Sequence, residues 1–235
     1  MPRDAARRTR SRPRAGSPSP KPTPAAPRDA DASRARILEA ATAEFAELGL
    51  GGARVDRIAD AASVNKRMLY YYFGNKEALF LAVLEHAYAG IRNAEQALNL
   101  GRLDPVAAIR RLVAFTWNYF VAHPEFVTLL NSENLHRARH IRGVARIARI
   151  QSPLIATLGD ILARGERAGA FRRGVDPVQL YITIAGVGYF YFSNRFTLST
   201  IFERDLMAPK ARAERLAHMT DVILGYLAAP HGRAS

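Results

Sequence analysis

Four residues within six positions carry side chains suited to binding a nucleic acid: Lys66, Arg67, Tyr70 and Tyr71. On a helix they share one side, because residues three and four positions apart are neighbours on a helical surface. Two cations and two phenol hydroxyls on one helix face can contact phosphates and base edges in the major groove of DNA. The pattern therefore predicts a DNA-reading helix. The alternative is an exposed basic helix that binds nothing.

The residues around this helix have the spacing of a helix-turn-helix over 58–79, IADAASVNKRMLYYYFGNKEAL. A short apolar helix precedes a turn at Ser63 and Val64. Asn65 is expected to cap the second helix through its side-chain oxygen. Leu69 and Phe73 are expected to return to the interior, on the side opposite the four polar residues.

The same stretch resembles the N-terminal domain of the tetracycline-repressor (TetR) family of bacterial transcription regulators. The resemblance covers roughly residues 34 to 85 and rests on L-Y-Y-Y-F followed by N-K-E-A-L, with I-A-x-x-A before the turn. Upstream, R-I-L-E-A-A and F-x-x-x-G resemble the first helix of the family and its glycine stop. The DNA-binding residues implied by this resemblance are Arg54, Asn65, Lys66, Arg67, Tyr70, Tyr71 and Lys76.

The resemblance also implies separate roles within that set. Lys66 and Arg67 lie where the family contacts base edges and phosphates. Tyr70 lies where a hydroxyl meets a phosphate, Tyr71 lies against the groove, and Lys76 matches a phosphate-binding lysine.

Two positions depart from the family pattern. Arg54 follows Ala53 where the family has a hydroxyl residue that caps the second helix, so any phosphate contact there falls to an arginine. Ser63 replaces the usual turn glycine, at a position whose left-handed backbone favours glycine.

Composition narrows the class of protein. A chain of 235 residues with 49% hydrophobic content can bury a substantial core as one or two domains. The lack of cysteine excludes disulfides and cysteine-based metal sites. No apolar run approaches the ~20 residues that span a bilayer, and no secretory signal is visible. We therefore expect a cytoplasmic protein. No catalytic grouping or phosphate loop stands out, so neither an enzyme nor a cofactor or metal is predicted.

The charge distribution favours a polyanionic partner. Lys and Arg outnumber Asp and Glu by 34 to 21, a net charge of +13. Residues 1–33 hold eight cations and three acids, whereas residues 34–88 hold seven of each. Residues 1–32 are predicted to be a disordered basic tail. It is either a passive extension or an arm that follows phosphates.

Helical periodicity continues to the end of the chain, and the predicted fold is all-α with about nine helices. Asp31 or Ser33 is expected to cap the first helix. One long helix is expected to end near Ala168, and a loop is expected over 197–209. The predicted divisions are the tail 1–32, a helix-turn-helix domain 33–80, and an effector-binding and dimerisation domain 81–230. The function of this last domain is implied by the family resemblance.

The segment 176–196 is apolar on nearly every side. A helix of that kind is buried, and a monomer of this size has little interior to surround it. A subunit interface shared with the last helix resolves this, and the alternative is an internal core helix. The interface residues predicted are Leu180, Ile184, Gly188, Phe192, Met219 and Ile223.

Glu133, His136 and His140 would share a helical face that suits a divalent metal or a polar effector. The alternative is a solvated face without a ligand. Arginines at 139, 142, 146 and 149 form a stripe at helical spacing, either a solvated face or a rim that attracts an anionic effector. With the aromatic residues, whose assignment depends on the family resemblance, the predicted effector pocket contains Trp117, Phe120, Phe126, Glu133, His136, His140 and Tyr189.

Together these features predict a homodimeric, DNA-binding transcription regulator that reads a palindromic double-stranded operator. It is expected to be a repressor released by a small-molecule effector. One alternative is a constitutive DNA-binding protein without an effector. The other is an enzyme that carries a helix-turn-helix.

Overall fold

The computed structural model describes residues 27–229, and that part of the chain is helical apart from its turns and one isolated bridge, between Phe171 and Ala228. This confirms the all-α prediction. In chain order the helices are α1 Pro27–Gly52, α2 Val55–Ala61, α3 Lys66–Phe73, α4 Lys76–Gln96, α5 Pro105–Ala122, α6 Pro124–Leu135, α7 Ala145–Arg167, α8 Pro177–Ser193, α9 Arg195–Ile201 and α10 Pro209–Leu227, with a 3-10 turn at Leu100–Arg102. The described range thus holds ten α-helices, where about nine were predicted.

Side-chain caps fix the starts of four helices. Asn65, Asn75, Asp104 and Asp176 each accept a backbone N–H from the first turn of α3, α4, α5 and α8, at 2.7–3.0 Å. Each cap satisfies a donor that has no partner within the helix. A proline follows directly after both aspartates, at a position where its missing N–H costs nothing.

The first helix begins earlier than the sequence pattern suggested. It starts at Pro27, so Asp31 and Ser33 lie inside α1 and cap nothing. The rest of the predicted tail, residues 1–26, lies outside the described residues. Gly49 interrupts α1 as expected, with a φ of 65° that a residue with a side chain rarely adopts.

The helix expected to run to Ala168 is divided in two. α6 ends at Leu135, and Arg137 and Ala138 then take positive φ values of 56° and 57°. Residues 136–144 form turns, and α7 starts at Ala145. Two of the four arginines of the predicted stripe, Arg139 and Arg142, therefore lie in turns, and the stripe does not exist as one helical face.

The helices enclose two neighbouring cores. The first contains the inner faces of α1 to α4, where the rings of Phe45 and Phe80 meet edge to face with centroids 5.1 Å apart. The second lies among the end of α4, α5, α6, α7, α8 and α10. Leu129 of α6, although outside the N-terminal helices, is fully buried in the first core. Burying such a side chain stabilises the fold by about 1.5–3 kcal/mol, so α6 is packed firmly against the N-terminal helices.

No helix in residues 27–229 is both long and apolar enough to cross a membrane.

Candidate DNA interface and effector cavity

α3 presents its polar side to solvent. Leu69 and Phe73 are buried against α1 and α4, and the cap residue Asn65 is exposed. Tyr71 is the most exposed aromatic residue of this helix, at 80%. The exposed side of α3 carries Lys66, Arg67, Tyr70 and Tyr71. The structure thus places on one surface the side chains that the sequence assigned to DNA.

A buried carboxylate joins α1 to α2 and sets the angle of the helix pair. Glu44 accepts the backbone N–H of Arg54 at 2.9 Å and pairs with Arg57 at 3.1 Å. Arg36 of α1 donates to the carbonyl of Ala62 at the turn, at 3.2 Å. The side chain of Arg54 is exposed, and it lies near enough to Lys66 of α3 for the two charges to interact.

The turn between α2 and α3 includes a strained serine. Ser63 has a φ of 53°, in the left-handed region, and its N–H donates to the carbonyl of Asp60 at 3.0 Å. This confirms the expectation for the position where the family has glycine. A non-glycine residue there costs of order 1–3 kcal/mol, which the surrounding packing must offset.

An aspartate that the sequence analysis did not single out holds the first cation of α3. Asp56 lies 2.7 Å from the Nζ of Lys66, and both side chains are about half exposed. The hydrogen bond and charge of Lys66 lower the pKa of Asp56, and Asp56 in turn raises the pKa of Lys66. Both groups are therefore charged at neutral pH. Lys76 is held less tightly, with its Nζ 3.5 Å from the carbonyl of Gly51.

A cavity of about 470 Å³ lies between α4, α5, α6 and α8. Phe120, Phe126 and Tyr189, three of the predicted pocket residues, line it. Trp117 does not, because it is buried behind the cavity with its ring 4.7 Å from that of Phe192. The hydroxyl of Tyr189 donates to Asn131 Oδ1.

The acid and the two histidines assigned to the pocket lie elsewhere, and that part of the prediction is wrong. Glu133 is buried and accepts the backbone N–H groups of His140 and Ile141, at 2.9 and 3.2 Å. Its second oxygen lies 2.6 Å from His140 Nδ1. His136 contacts the carbonyl of Ser132 at 2.7 Å. These groups meet through a turn, not along one helical face, and fix residues 136–144 to α6. Within residues 27–229 no cluster suits a metal ion.

The charged groups that line the cavity are Arg92 and Glu95 of α4, which the sequence analysis missed. Both are only 4% exposed. The sequence contains a signal for this pair. The apolar residues of α4 at positions 80, 84 and 91 recur at helical spacing, and the next position on the same face, 95, is a glutamate. A charge on the core-facing stripe of a helix is a candidate functional group.

Arg92 and Glu95 are close but incompletely bonded. Nη1 of Arg92 lies 2.6 Å from Oε2 of Glu95, yet the two are not aligned as a hydrogen bond. These two atoms and Nε of Arg92 are buried without a hydrogen-bond partner among the described protein groups. Burial, opposed by the charge of Arg92, raises the pKa of Glu95 to about 7. Burial also raises the pKa of the neighbouring Tyr88 to about 12.

The residues predicted at the subunit interface are all buried inside the protomer, and that assignment is corrected. Because each of them is already buried in the second core, no surface of these residues remains for a partner subunit to cover. They are Leu180, Ile184, Gly188, Phe192, Met219 and Ile223. The opposite sides of the same two helices carry exposed apolar residues. These are Val178, Ile182 and Phe190 of α8, and Val222 and Tyr226 of α10.

Comparison with known proteins decides the family. The family model for bacterial regulatory proteins of the tetR family matches residues 37–83. The model for the tetracyclin repressor-like C-terminal domain matches residues 105–223. The chain belongs to the TetR family. The first match covers most of α1, all of α2 and α3 and the start of α4, and so includes the helix-turn-helix. The second covers α5, α6 and α8, three of the four helices around the cavity.

Individual relatives agree with this assignment. The chain is 43% identical over 192 residues to the HTH-type transcriptional repressor NicS of Pseudomonas putida, which covers 82% of this chain and 91% of NicS. It is 43% identical over 105 residues to the HTH-type transcriptional repressor SCO4008 of Streptomyces coelicolor, covering 44% of this chain and 50% of that one. A TetR family transcription regulator from Marinobacter aquaeolei shares the fold, with a TM-score of 0.63, 20% identity, and coverage of 86% and 98%.

Proposed function

We propose that this TetR-family regulator is a repressor that binds a palindromic operator as a homodimer and leaves it when a small molecule occupies the 470 Å³ cavity. The naming of NicS as a repressor supports the sign of regulation. The observation that carries the proposal is the course of α4. Lys76 begins this helix next to α3, and Tyr88, Arg92 and Glu95 line the cavity towards its other end. A helix of this length spans about 30 Å as one rigid element.

α6 supplies a second connection between the two sites. Phe126 and Leu130 face the cavity, whereas Leu129 is buried in the core of the N-terminal helices. A ligand that moves α6 on the cavity side therefore moves a residue packed against the DNA-reading domain. Two copies of α3 must lie about 34 Å apart to read successive turns of DNA. An effector that prefers another spacing lowers operator affinity by its differential affinity for the two conformations.

The exposed apolar residues of α8 and α10 are the proposed dimer face. Val178, Ile182 and Phe190 recur at multiples of four along α8, with Gly186 between them, and so form one stripe. Exposed apolar surface of this kind marks a protein–protein interface. Ile182 and Gly186 also line the cavity. A partner protomer on this stripe would therefore cover one side of the effector site.

Substitutions on the DNA surface test the operator function. In gel shifts against a selected operator, Arg67→Ala or Tyr71→Ala should abolish sequence preference, each costing ~1–3 kcal/mol of discrimination if it touches a base edge. Lys76→Ala should instead weaken binding to all duplexes and reduce the salt slope by about one unit. Unchanged operator affinity in all three variants would refute the assignment.

The rival function is a constitutive DNA-binding protein without an effector. A cavity lined by a buried and incompletely bonded ion pair argues against it, because such groups are costly unless a ligand completes them. Ala185→Trp, which fills the cavity from α8, separates the two functions in a reporter strain. An effector-released repressor should lose its response to growth conditions. A constitutive binder should repress equally, with or without the substitution, under every condition.

A further inference from the structure

Arg92 and Glu95 make the cavity chemically specific. Of its lining residues in the described part of the chain, Arg92 is the one cation and Glu95 the one acid. Each is nine-tenths buried or more, and two nitrogens of the guanidinium and one carboxyl oxygen make no hydrogen bond. Leaving buried polar atoms of this kind without partners is unfavourable. The site therefore lacks a group that accepts from Arg92 and exchanges a hydrogen bond with Glu95.

The charge balance of the site indicates which chemical group can bind to Arg92 and Glu95. With its pKa near 7, Glu95 takes up a proton at little cost at neutral pH. Once Glu95 is protonated, the charge of Arg92 is uncompensated in a buried place. A carboxylate restores neutrality, accepts charge-assisted hydrogen bonds from the guanidinium, and accepts another from the carboxylic acid of Glu95.

The walls of the cavity favour a flat ring. The rings of Phe120 and Phe126 lie 6.1 Å apart at an interplanar angle of 16°. On the other side, the guanidinium of Arg92 lies 5.4 Å from the centre of the Tyr181 ring. A volume of about 470 Å³ is within the range of sites for small molecules. Aromatic walls around one cationic group suit a molecule of one or two rings.

We propose that the effector is a small aromatic carboxylic acid whose carboxyl group binds between Arg92 and Glu95, with uptake of one proton by the site. The acid arrives as its carboxylate, and Glu95 takes the proton from solvent, so no other bond forms or breaks. The identification of this molecule as the effector rests on the proposed function. The binding chemistry does not.

The groups around Glu95 determine whether its titration governs the pH dependence. On α4 the neighbours are the guanidinium of Arg92 and the hydroxyl of Tyr88, whose pKa burial raises to about 12. The neighbours from α7 and the 3-10 turn include Leu154, Thr157 and Leu100, which do not titrate. The remaining ionisable groups are hydroxyls of tyrosines on α5 and α8: Tyr119, Tyr181 and Tyr189. Glu95 is thus the one carboxyl group of this set, and burial raises its pKa to about 7.

Direct binding measurements test the proposal without DNA. Benzoate and 2-naphthoate serve as probes, with benzamide and 2-naphthamide as neutral counterparts, by calorimetry and by the fluorescence of Trp117, the only tryptophan. The acids should bind more tightly than the amides. Above the pKa of Glu95 the proton must be supplied from increasingly alkaline solvent, so Kd should rise about tenfold per pH unit. Below about pH 6, Kd should be constant.

Three variants assign this behaviour to residues. Glu95→Gln imitates the protonated acid and should bind the probes with an affinity that does not change between pH 6 and 8.5. Arg92→Gln should weaken binding of the acids more than about tenfold. Glu77→Gln removes the same charge from the first turn of α4, away from the cavity, and should behave as the wild type. Melting curves by circular dichroism establish that each variant is folded.

Several results would overturn the proposal: no binding of either acid, amides that bind as tightly as acids, a wild-type Kd independent of pH, or full binding by a folded Arg92→Gln. None of these results bears on operator recognition, which is tested by the variants of Arg67, Tyr71 and Lys76. Conversely, the acids could bind as expected without releasing the protein from the operator. That result would support the binding of a carboxylate at Arg92 and Glu95 and refute its role as the effector.

Discussion

We expect Asp56 to compete with DNA for the first lysine of α3. Its carboxylate lies 2.7 Å from Lys66 Nζ. A phosphate that binds Lys66 must displace this partner, and the exposed carboxylate repels the DNA backbone. We therefore predict that the pair weakens binding to unrelated duplexes, and that contacts of an operator with Arg67, Tyr70 and Tyr71 offset this loss.

Replacing Asp56 by asparagine should raise affinity for unrelated duplexes by about threefold at low salt, because Lys66 and its charge become available to phosphates. The control is Asp60→Asn, which removes the same charge from an exposed position on the same helix. Fluorescence anisotropy with an operator and an unrelated duplex measures both affinities. The ratio between them should fall more in Asp56→Asn. Equal effects of the two substitutions would show that only net charge matters.

At the scale of residues, local signals were sufficient for some features and not for others. The cap by Asn65 and the outward direction of Tyr71 follow from neighbours within four positions, so the sequence contains them. The contact of Asp56 with Lys66 joins residues ten positions apart across a turn. It depends on the angle between two helices, which no sequence period encodes. The cavity pair of Arg92 and Glu95 interrupts an apolar stripe, and that signal was overlooked.

α8 shows what the hydrophobic period of one helix can and cannot determine. Its apolar character on all sides predicts that both faces are covered, and the structure shows one face buried in the second core and the other exposed. Which face packs inward cannot be read from a helix without a polar side. The structure turns Leu180 and Gly188 into the protomer and Phe190 outward. A Cβ at position 188 would lie 3.3 Å from the ring of Phe120, so a charge there would break the protomer rather than separate two protomers.

Phe190→Glu should therefore dissociate the dimer and leave the protomer folded. Phe190 is 58% exposed, so the new carboxylate is solvated in the monomer and becomes a buried, unpaired charge only at the interface. Sedimentation equilibrium should show a dissociation constant raised at least about a hundredfold, with an unchanged helical circular dichroism spectrum. Leu135→Glu, an equally drastic change at an exposed leucine of α6, is the control. A stable wild-type monomer, or an intact dimer of Phe190→Glu, would contradict the proposed face.

No helix-breaking residue in the sequence marks the point where α6 ends. Neither glycine nor proline lies between Glu125 and Arg142, so helical spacing appeared to continue. Glu133 accepts the backbone N–H groups of His140 and Ile141, which stabilises a turn that the local sequence does not specify. A tertiary hydrogen bond thus overrides the local period, and the same contact removes Glu133 from the effector pocket.

At the scale of the whole molecule, the two sites are joined by rigid elements. α4 links the edge of the DNA surface to the cavity, and α6 places Leu129 in one core and Phe126 in the other. The family resemblance by itself implied that the N-terminal part of the chain binds DNA and that the C-terminal part binds an effector. The shared helices offer a physical route for it: we expect displacement of either helix at the cavity to change the packing of the N-terminal helices that hold α3.

We expect the charge of the whole chain to add a long-range contribution to DNA binding. Residues 34–88 carry seven cations and seven acids, so the DNA-reading domain attracts DNA only through the placement of its cations. Residues 1–26 carry seven cations and one acid, directly before α1. Each cation that neutralises a phosphate releases counterions, and this contribution to affinity decreases as salt increases.

Deleting residues 1–26 should weaken operator binding at low salt and have little effect at high salt, with a salt slope smaller by about 0.9 for each phosphate that is no longer neutralised. Folding and dimerisation should be unchanged, because residues 1–26 contain almost no large apolar side chain, and the described buried residues of both cores lie from Ile37 onward. A chain whose first 26 residues are shuffled keeps the same charge and should retain the wild-type slope. A chain whose six arginines between positions 3 and 14 become glutamines should behave like the deletion. If deletion leaves low-salt affinity unchanged, the segment is a passive extension. If shuffling weakens binding as much as deletion does, the segment contributes through its sequence and not through its charge.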